Sequence, residues 1–187
     1  MQQVSTSSGE SWQLFFFLLL REKGFEHKCP NQRKYTPSAI LTFCYLFDPY
    51  QVLSIVSNPC TDEYLAVQGL KDCHVLTFGS GGSVSDHLVL HPQLESNNYI
   101  IKTAWMPGSQ TELAIVTADF IKVYDLGSDV LSPQFYFLVP SGKVRDSTLA
   151  IFDDSKYVII MSTAGHIYFQ CLNQVWTLTQ LFSVSFL

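Results

Sequence analysis

Thr111-Glu112-Leu113-Ala114-Ile115-Val116-Thr117-Ala118-Asp119-Phe120-Ile121-Lys122-Val123-Tyr124-Asp125-Leu126 reads as two short strands joined by a tight turn. Leu113 to Val116 makes the first strand, Thr117-Ala118-Asp119 the turn, and Phe120 to Tyr124 the second. In the second strand Ile121 and Val123 fall on one face and Lys122 and Tyr124 on the other, the period of two of a half-buried antiparallel strand. Asp119 suits the turn, because an Asp side chain tolerates unusual backbone angles and hydrogen-bonds nearby backbone. The pattern occurs twice more: Tyr64-Leu65-Ala66-Val67 leads to His74 through Phe78, and Val158-Ile159-Ile160-Met161 leads to Gly165 through Phe169. Aligned on Tyr64, Leu113 and Val158, the hairpins recur after 49 and 45 residues, which marks a repeat architecture.

Around each hairpin lie further strands with Pro, Gly or Asp stops. In the first unit Val52 to Asn58 enters, and Asp86 to His91 returns after the Gly79-Ser80-Gly81-Gly82-Ser83 connector. In the second, Tyr99 to Trp105 enters and Gln134 to Val139 returns; in the third, a strand from Val144 turns at Asp153-Asp154 and Gln174 to Leu178 closes the unit. Four antiparallel strands per unit of about 45 residues is the make-up of a propeller blade. A β-sandwich also has many short strands, but internal similarity at one fixed period favours the propeller. The fold expected is all-β: a partial β-propeller of about three four-stranded antiparallel blades over 35–187, with hairpins near 64–78, 113–125 and 158–169.

Composition agrees with this. The chain has 187 residues, 47% of them hydrophobic and 14% charged, enough apolar material for a packed core and too much for a disordered chain. Net charge is −5; from Tyr35 onward six Lys and Arg face thirteen Asp and Glu, so no basic stripe offers phosphate contacts and nucleic acid is not expected as a partner. Five cysteines, Cys29, Cys44, Cys60, Cys73 and Cys171, form no CxxC and no disulfide framework, which points to a reducing compartment and a cytoplasmic location.

Residues 1–34 differ from the rest and are expected to be a divergent, poorly ordered segment. The run Leu14 to Leu20 is preceded by Glu10 without Lys or Arg and followed by charges, unlike a signal peptide. It is shorter than the ~20 residues of a membrane-spanning helix. Membrane tethering through Leu14–Leu20 is kept as the alternative, in a small independent interaction module.

Asp119 to Leu126, DFIKVYDL, resembles the third strand of a WD-repeat blade, with Tyr124-Asp125 where the Trp-Asp pair would stand. The other units carry Thr77-Phe78 and Tyr168-Phe169 there, so the pattern is degenerate. Longer strings carry a more specific resemblance: NPCTDEYLAVQGLKDCHVLTF, SGGSVSDHLVLHPQLESNNYIIKTAWMPGSQTELAIVTADFIKVYDL, SPQFYFLVPSGKVRD and MSTAGHIYFQCL. From about Tyr50 to Leu172 they resemble one segment of the giant UBR-box N-recognin E3 ubiquitin ligases, the calossin, pushover and BIG type. The resemblance implies a propeller segment that scaffolds or positions partners and substrates in the N-degron pathway. In that family zinc belongs to the UBR box and the C-terminal ligase module, whose closely spaced Cys and His ligands this sequence lacks. The chain is therefore expected to hold no cofactor, metal or small-molecule substrate and to be non-catalytic by itself. Its partners would be other parts of the parent ligase, protein partners and ubiquitination substrates.

Residue types that could support chemistry have simpler readings. Cys73 and His74 are adjacent, so a strand sends them to opposite faces, and with His87 and His91 they read as core and strand-end residues more readily than as zinc ligands. Ser85-Asp86-His87 lacks a GxSxG elbow. The Gly79–Ser83 connector has no lysine or following helix to hold a phosphate. Asp119 and Asp125 are expected to hold turns. Trp105, Tyr136 and Trp176 are the candidates for a partner surface, if exposed.

Overall fold

The computed structural model describes residues 51–80 and 82–173, together with the backbone of 179–183. The segment 1–34, the run Leu14–Leu20 and Trp176 lie outside the described residues. By its contacts the chain forms two units: Gln51–Thr77 with Asp86–Leu187, and Met1–Tyr50 with Phe78–Ser85. Of the second unit only Phe78–Ser85 is described, apart from residue 81. There Gly79 N donates to Ser83 O at 2.9 Å and Gly82, at φ +75°, donates to Gly79 O at 2.9 Å, a tight turn that needs glycine at the positive φ.

The described residues form twelve strands and no helix. They are β1 (Ser54–Ser57), β2 (Tyr64–Gln68), β3 (Cys73–Phe78), β4 (Val84–Leu90), β5 (Ile100–Trp105), β6 (Glu112–Thr117), β7 (Phe120–Asp125), β8 (Phe135–Leu138), β9 (Val144–Phe152), β10 (Ser155–Ser162), β11 (His166–Cys171) and β12 (Thr179–Ser183). Each consecutive four make one sheet in sequence order, so the described residues form a partial WD-like β-propeller of three four-stranded blades. The strand closing the third sheet is Thr179–Ser183, beyond the 174–178 stretch expected from the sequence.

The second sheet explains the arrangement. Along the β6–β7 hairpin, Leu113 pairs with Tyr124, Ala114 with Val123, and Val116 with Ile121. Leu113, Ile115 and Tyr124 enter a cluster with Ala66, Cys73 and Val75 of the first sheet. Ala114, Val116, Ile121 and Val123 enter another with Val158, Ile160 and Tyr168 of the third. The hairpin is thus buried on both faces and not half-buried as its alternation suggests: Tyr124 is 2% exposed. Alternation marks a strand that faces water on one side, whereas here a neighbouring sheet lies on each side.

The same packing corrects the repeat. The faces turned to the next sheet carry the Ala66–Val75 pair in the first sheet and the Ala114–Val123 pair in the second. Leu65, not Tyr64, is therefore the counterpart of Leu113, and the first interval is 48 residues. A one-residue slip would send each side chain to the wrong face.

Candidate interaction surface

The turn between β6 and β7 is Ala118-Asp119, closed by a side chain that the sequence pattern does not single out. Thr117 is fully buried; its Oγ1 accepts from Phe120 N at 3.1 Å and donates to Phe120 O at 2.9 Å. Asn98, in the segment leading into β5, joins it. Asn98 Nδ2 reaches Asp119 Oδ2 at 3.0 Å and Thr117 Oγ1 at 3.4 Å, while Oδ1 accepts from Ala118 N at 3.1 Å. Asp119 also pairs with Lys143, and Val144 N donates to Ala118 O at 2.6 Å, so this turn holds the entry to the third sheet.

Asp125 ends β7 at the other end of the hairpin. Its Oδ1 accepts from Thr111 Oγ1 at 2.5 Å and Gly127 N at 3.0 Å, and its Oδ2 from Gln134 Nε2 at 3.0 Å. These donors, Thr111 foremost, hold its carboxyl below the ordinary carboxylate value. Both aspartates sit in hydrogen-bonded turns.

Of the partner-surface candidates, Trp105 is core. It is 5% exposed, its Nε1 donates to Val56 O at 2.9 Å, and its ring lies 6.0 Å from that of Tyr64. The tryptophan ends β5 where the first and second sheets meet, and their cluster encloses it. Tyr136 is 53% exposed on β8, beside Leu138 at 59%. Its ring lies 5.4 Å from Phe120, and Lys122 Nζ sits 5.4 Å from its centroid while donating to Pro92 O at 2.7 Å. Tyr136 is thus a supported aromatic with half of its surface in water.

His74 and His87 come together across β3 and β4: Nδ1 of one lies 2.7 Å from Nε2 of the other, with the rings stacked at 4.9 Å. Burial first, then His87 and His91, push the His74 pKa down, against Asp72. Cys73 points away into the core, and its thiol is pushed up to about 12, chiefly by burial. Among the described residues no three His, Cys, Asp or Glu side chains gather closely enough to hold a metal ion. Asp86 accepts from the His87 backbone N–H at 2.8 Å. No helix among the described residues is long and apolar enough to cross a membrane.

Two inter-sheet features have no signal in the local sequence pattern. Gln68 is buried and bridges to the next sheet, donating to Ile100 O at 3.1 Å and accepting from Thr103 N at 3.0 Å. Lys156 pairs with Glu112 between the third and second sheets. A long polar side chain in a strand gives no sign of whether it faces water or a neighbouring sheet.

No protein-family model matches the chain. It is 49% identical over 127 residues to protein purity of essence of Drosophila pseudoobscura pseudoobscura, which covers 66% of this chain. It is 38% identical over 126 residues to a probable E3 ubiquitin-protein ligase of Dictyostelium discoideum, covering 66% of this chain. With auxin transport protein BIG of Oryza sativa subsp. japonica it shares 36% identity over 121 residues, 65% of this chain. In each case the match spans only 2% of the relative. Among solved structures, the fission yeast SREBP-SCAP binding domains align at a TM-score of 0.54 and 16% identity, over 72% of this chain and 38% of that one. The WD40 domain of SCAP from fission yeast aligns at 0.51 and 16% identity, over 70% and 34%. Both concern the fold alone.

Proposed function

Because this chain belongs to the family of giant proteins that includes purity of essence and BIG, we propose that it is a scaffold segment of an E3 ubiquitin ligase. In this reading it positions partners or ubiquitination substrates in the N-degron pathway, in the cytoplasm, and leaves the chemistry to zinc-bearing modules elsewhere in the parent protein. The observation that carries the reading is Tyr136. Supported by Phe120 and Lys122 and flanked by exposed Leu138, it has the character of an interface anchor: a rigid aromatic already ordered before a partner arrives.

The test is made in the intact ligase. Tyr136→Ala with Leu138→Asp is expected to lower co-purification of a defined subset of its partners at least about tenfold, the scale of one lost anchor. Abundance of the ligase should be unchanged. An unaltered partner set would remove the reading.

A further inference from the structure

We propose that the outer face of the third sheet docks a further four-stranded sheet of the same repeat, continuous in chain with this segment in the giant proteins. This rests on reading the chain as part of a longer propeller.

The face follows from register. Ile159 pairs with Phe169 and Met161 with Ile167, as Ala114 pairs with Val123 and Val116 with Ile121 in the second sheet. The second sheet's pairs are buried against the third, at 0–2% exposure. Ile159, Met161, Ile167 and Phe169 hold the equivalent places, yet they are only partly buried and belong to neither core cluster. The face continues along the β9–β10 hairpin: Phe152 lies on the same side as Tyr157, whose ring is 6.3 Å from Phe169, and is 73% exposed. An aliphatic and aromatic sheet face of this kind is stable only when covered.

On the first sheet, the side turned away from the second carries Leu65, Val67 and Leu76, exposed by 4%, 0% and 0%. Among the described residues, it is the third sheet that keeps an only partly buried apolar face.

The contacts already made say what fits. Each sheet receives its neighbour with branched aliphatic and aromatic residues: Leu113, Ile115 and Tyr124 in the second, Val158, Ile160 and Tyr168 in the third. The occupant carries residues of the same class on its facing side. Near the entering strand the second sheet presents Lys102, which donates to Ser147 O of the third at 2.9 Å. At the equivalent place the third sheet presents the Asp146 carboxylate, paired across from Met161. The occupant meets it with a donor. The match to this chain spans only 2% of each giant relative, so those proteins have ample chain to supply a further sheet of the same kind.

Two native reporters lie on the face: Met161, and Cys171, which pairs with Tyr157. Met106, 0% exposed between the second and third sheets, is the protected control, and exposed Cys60 is the open one. The experiment compares the 187-residue chain with the same chain lengthened by the ~45 residues that follow the matching segment in the fly relative, one blade's length. Both are treated with dilute peroxide or a maleimide and read by peptide-resolved mass spectrometry. The expected result is at least tenfold slower modification of Met161 and Cys171 in the longer chain, with Met106 slow and Cys60 fast in both. Equal rates at Met161 and Cys171 in the two chains overturn the proposal. So does a 187-residue chain that is already dimeric, with Met161 protected until Phe169→Asp separates the copies, because the face then belongs to a second copy. Neither outcome bears on the Tyr136 anchor, whose test reads co-purification in the intact ligase.

Discussion

Asn98 Nδ2 donates to Asp119 Oδ2 at 3.0 Å, tying the entry of β5 to the turn of its own sheet's central hairpin. The two residues contribute differently. Asn98 is 3% exposed; besides Asp119 it reaches Thr117, and its Oδ1 accepts from Ala118 N and from Tyr99 N at 2.9 Å. Asp119 is only partly buried, and its other side-chain partner is exposed Lys143. Asn98→Ala is expected to cost about 2–3 kcal/mol, because it leaves buried groups unpaired, and Asp119→Ala about 1 kcal/mol. Urea unfolding of the two variants gives the order; the reverse order would show that the carboxylate, not the amide, holds the turn.

Asp125 makes stability depend on acid. Its folded pKa lies below the ordinary 3.8, first because Thr111 donates to it and then through Gly127, Ser128 and Gln134, against the effect of burial. A depressed carboxyl contributes stability that is full above its unfolded value and is lost as pH falls through the folded value. Thr111→Val is therefore expected to destabilise by roughly 1 kcal/mol at neutral pH. The deficit should shrink as pH falls below 3.8, where the carboxyl of the unfolded chain is more than half protonated, toward the lower folded value. Thermal unfolding across pH checks it; a deficit constant down to the folded pKa would assign the cost to packing.

Cys73 and Cys60 should separate cleanly under alkylation. The Cys73 thiol is 0% exposed and pushed up to about 12 by burial, with Asp72 adding to the shift, so it is both unreachable and protonated. Cys60 is exposed. Iodoacetamide at neutral pH should modify Cys60 in the native protein, while Cys73 waits for the first sheet to open. Its rate should then rise with denaturant in step with unfolding. Native-state labelling of Cys73 at the rate of Cys60 would contradict the packing of β3 against the second sheet.

These side chains also show where sequence reasoning stops. Strand positions were legible because Val, Ile, Phe and Tyr alternate between Gly, Pro and Asp stops, and the hairpin returns at a near-fixed interval. Aspartates in turns were legible for the same local reason. Asn98, Gln68 and Thr117 were not, since each is buried by a sheet or turn brought to it by topology, and a polar residue in an extended stretch looks the same whether it faces water or a neighbouring sheet. Tyr124 and Lys122 illustrate the other limit: alternation puts them on one face, but only packing decides that the tyrosine is core and the lysine tip reaches Pro92.

Trp105 and Tyr136 stand side by side as aromatics of one candidate surface in the sequence, and the structure gives them opposite roles. Trp105→Ala should cost about 3–5 kcal/mol, the range for emptying an aromatic site in a core. Trp105→Phe keeps most of the packing but leaves Val56 O without the indole donor, an expected loss of about 1 kcal/mol. Tyr136→Ala removes a side chain that is 53% exposed and should stay within about 0.5 kcal/mol of the parent, aside from the contact with Phe120. Chemical unfolding of the three variants provides the comparison. A large loss at Tyr136 would make β8 a structural edge and remove it as an anchor for partners; a small loss at Trp105→Ala would mean that the first two sheets do not pack as described.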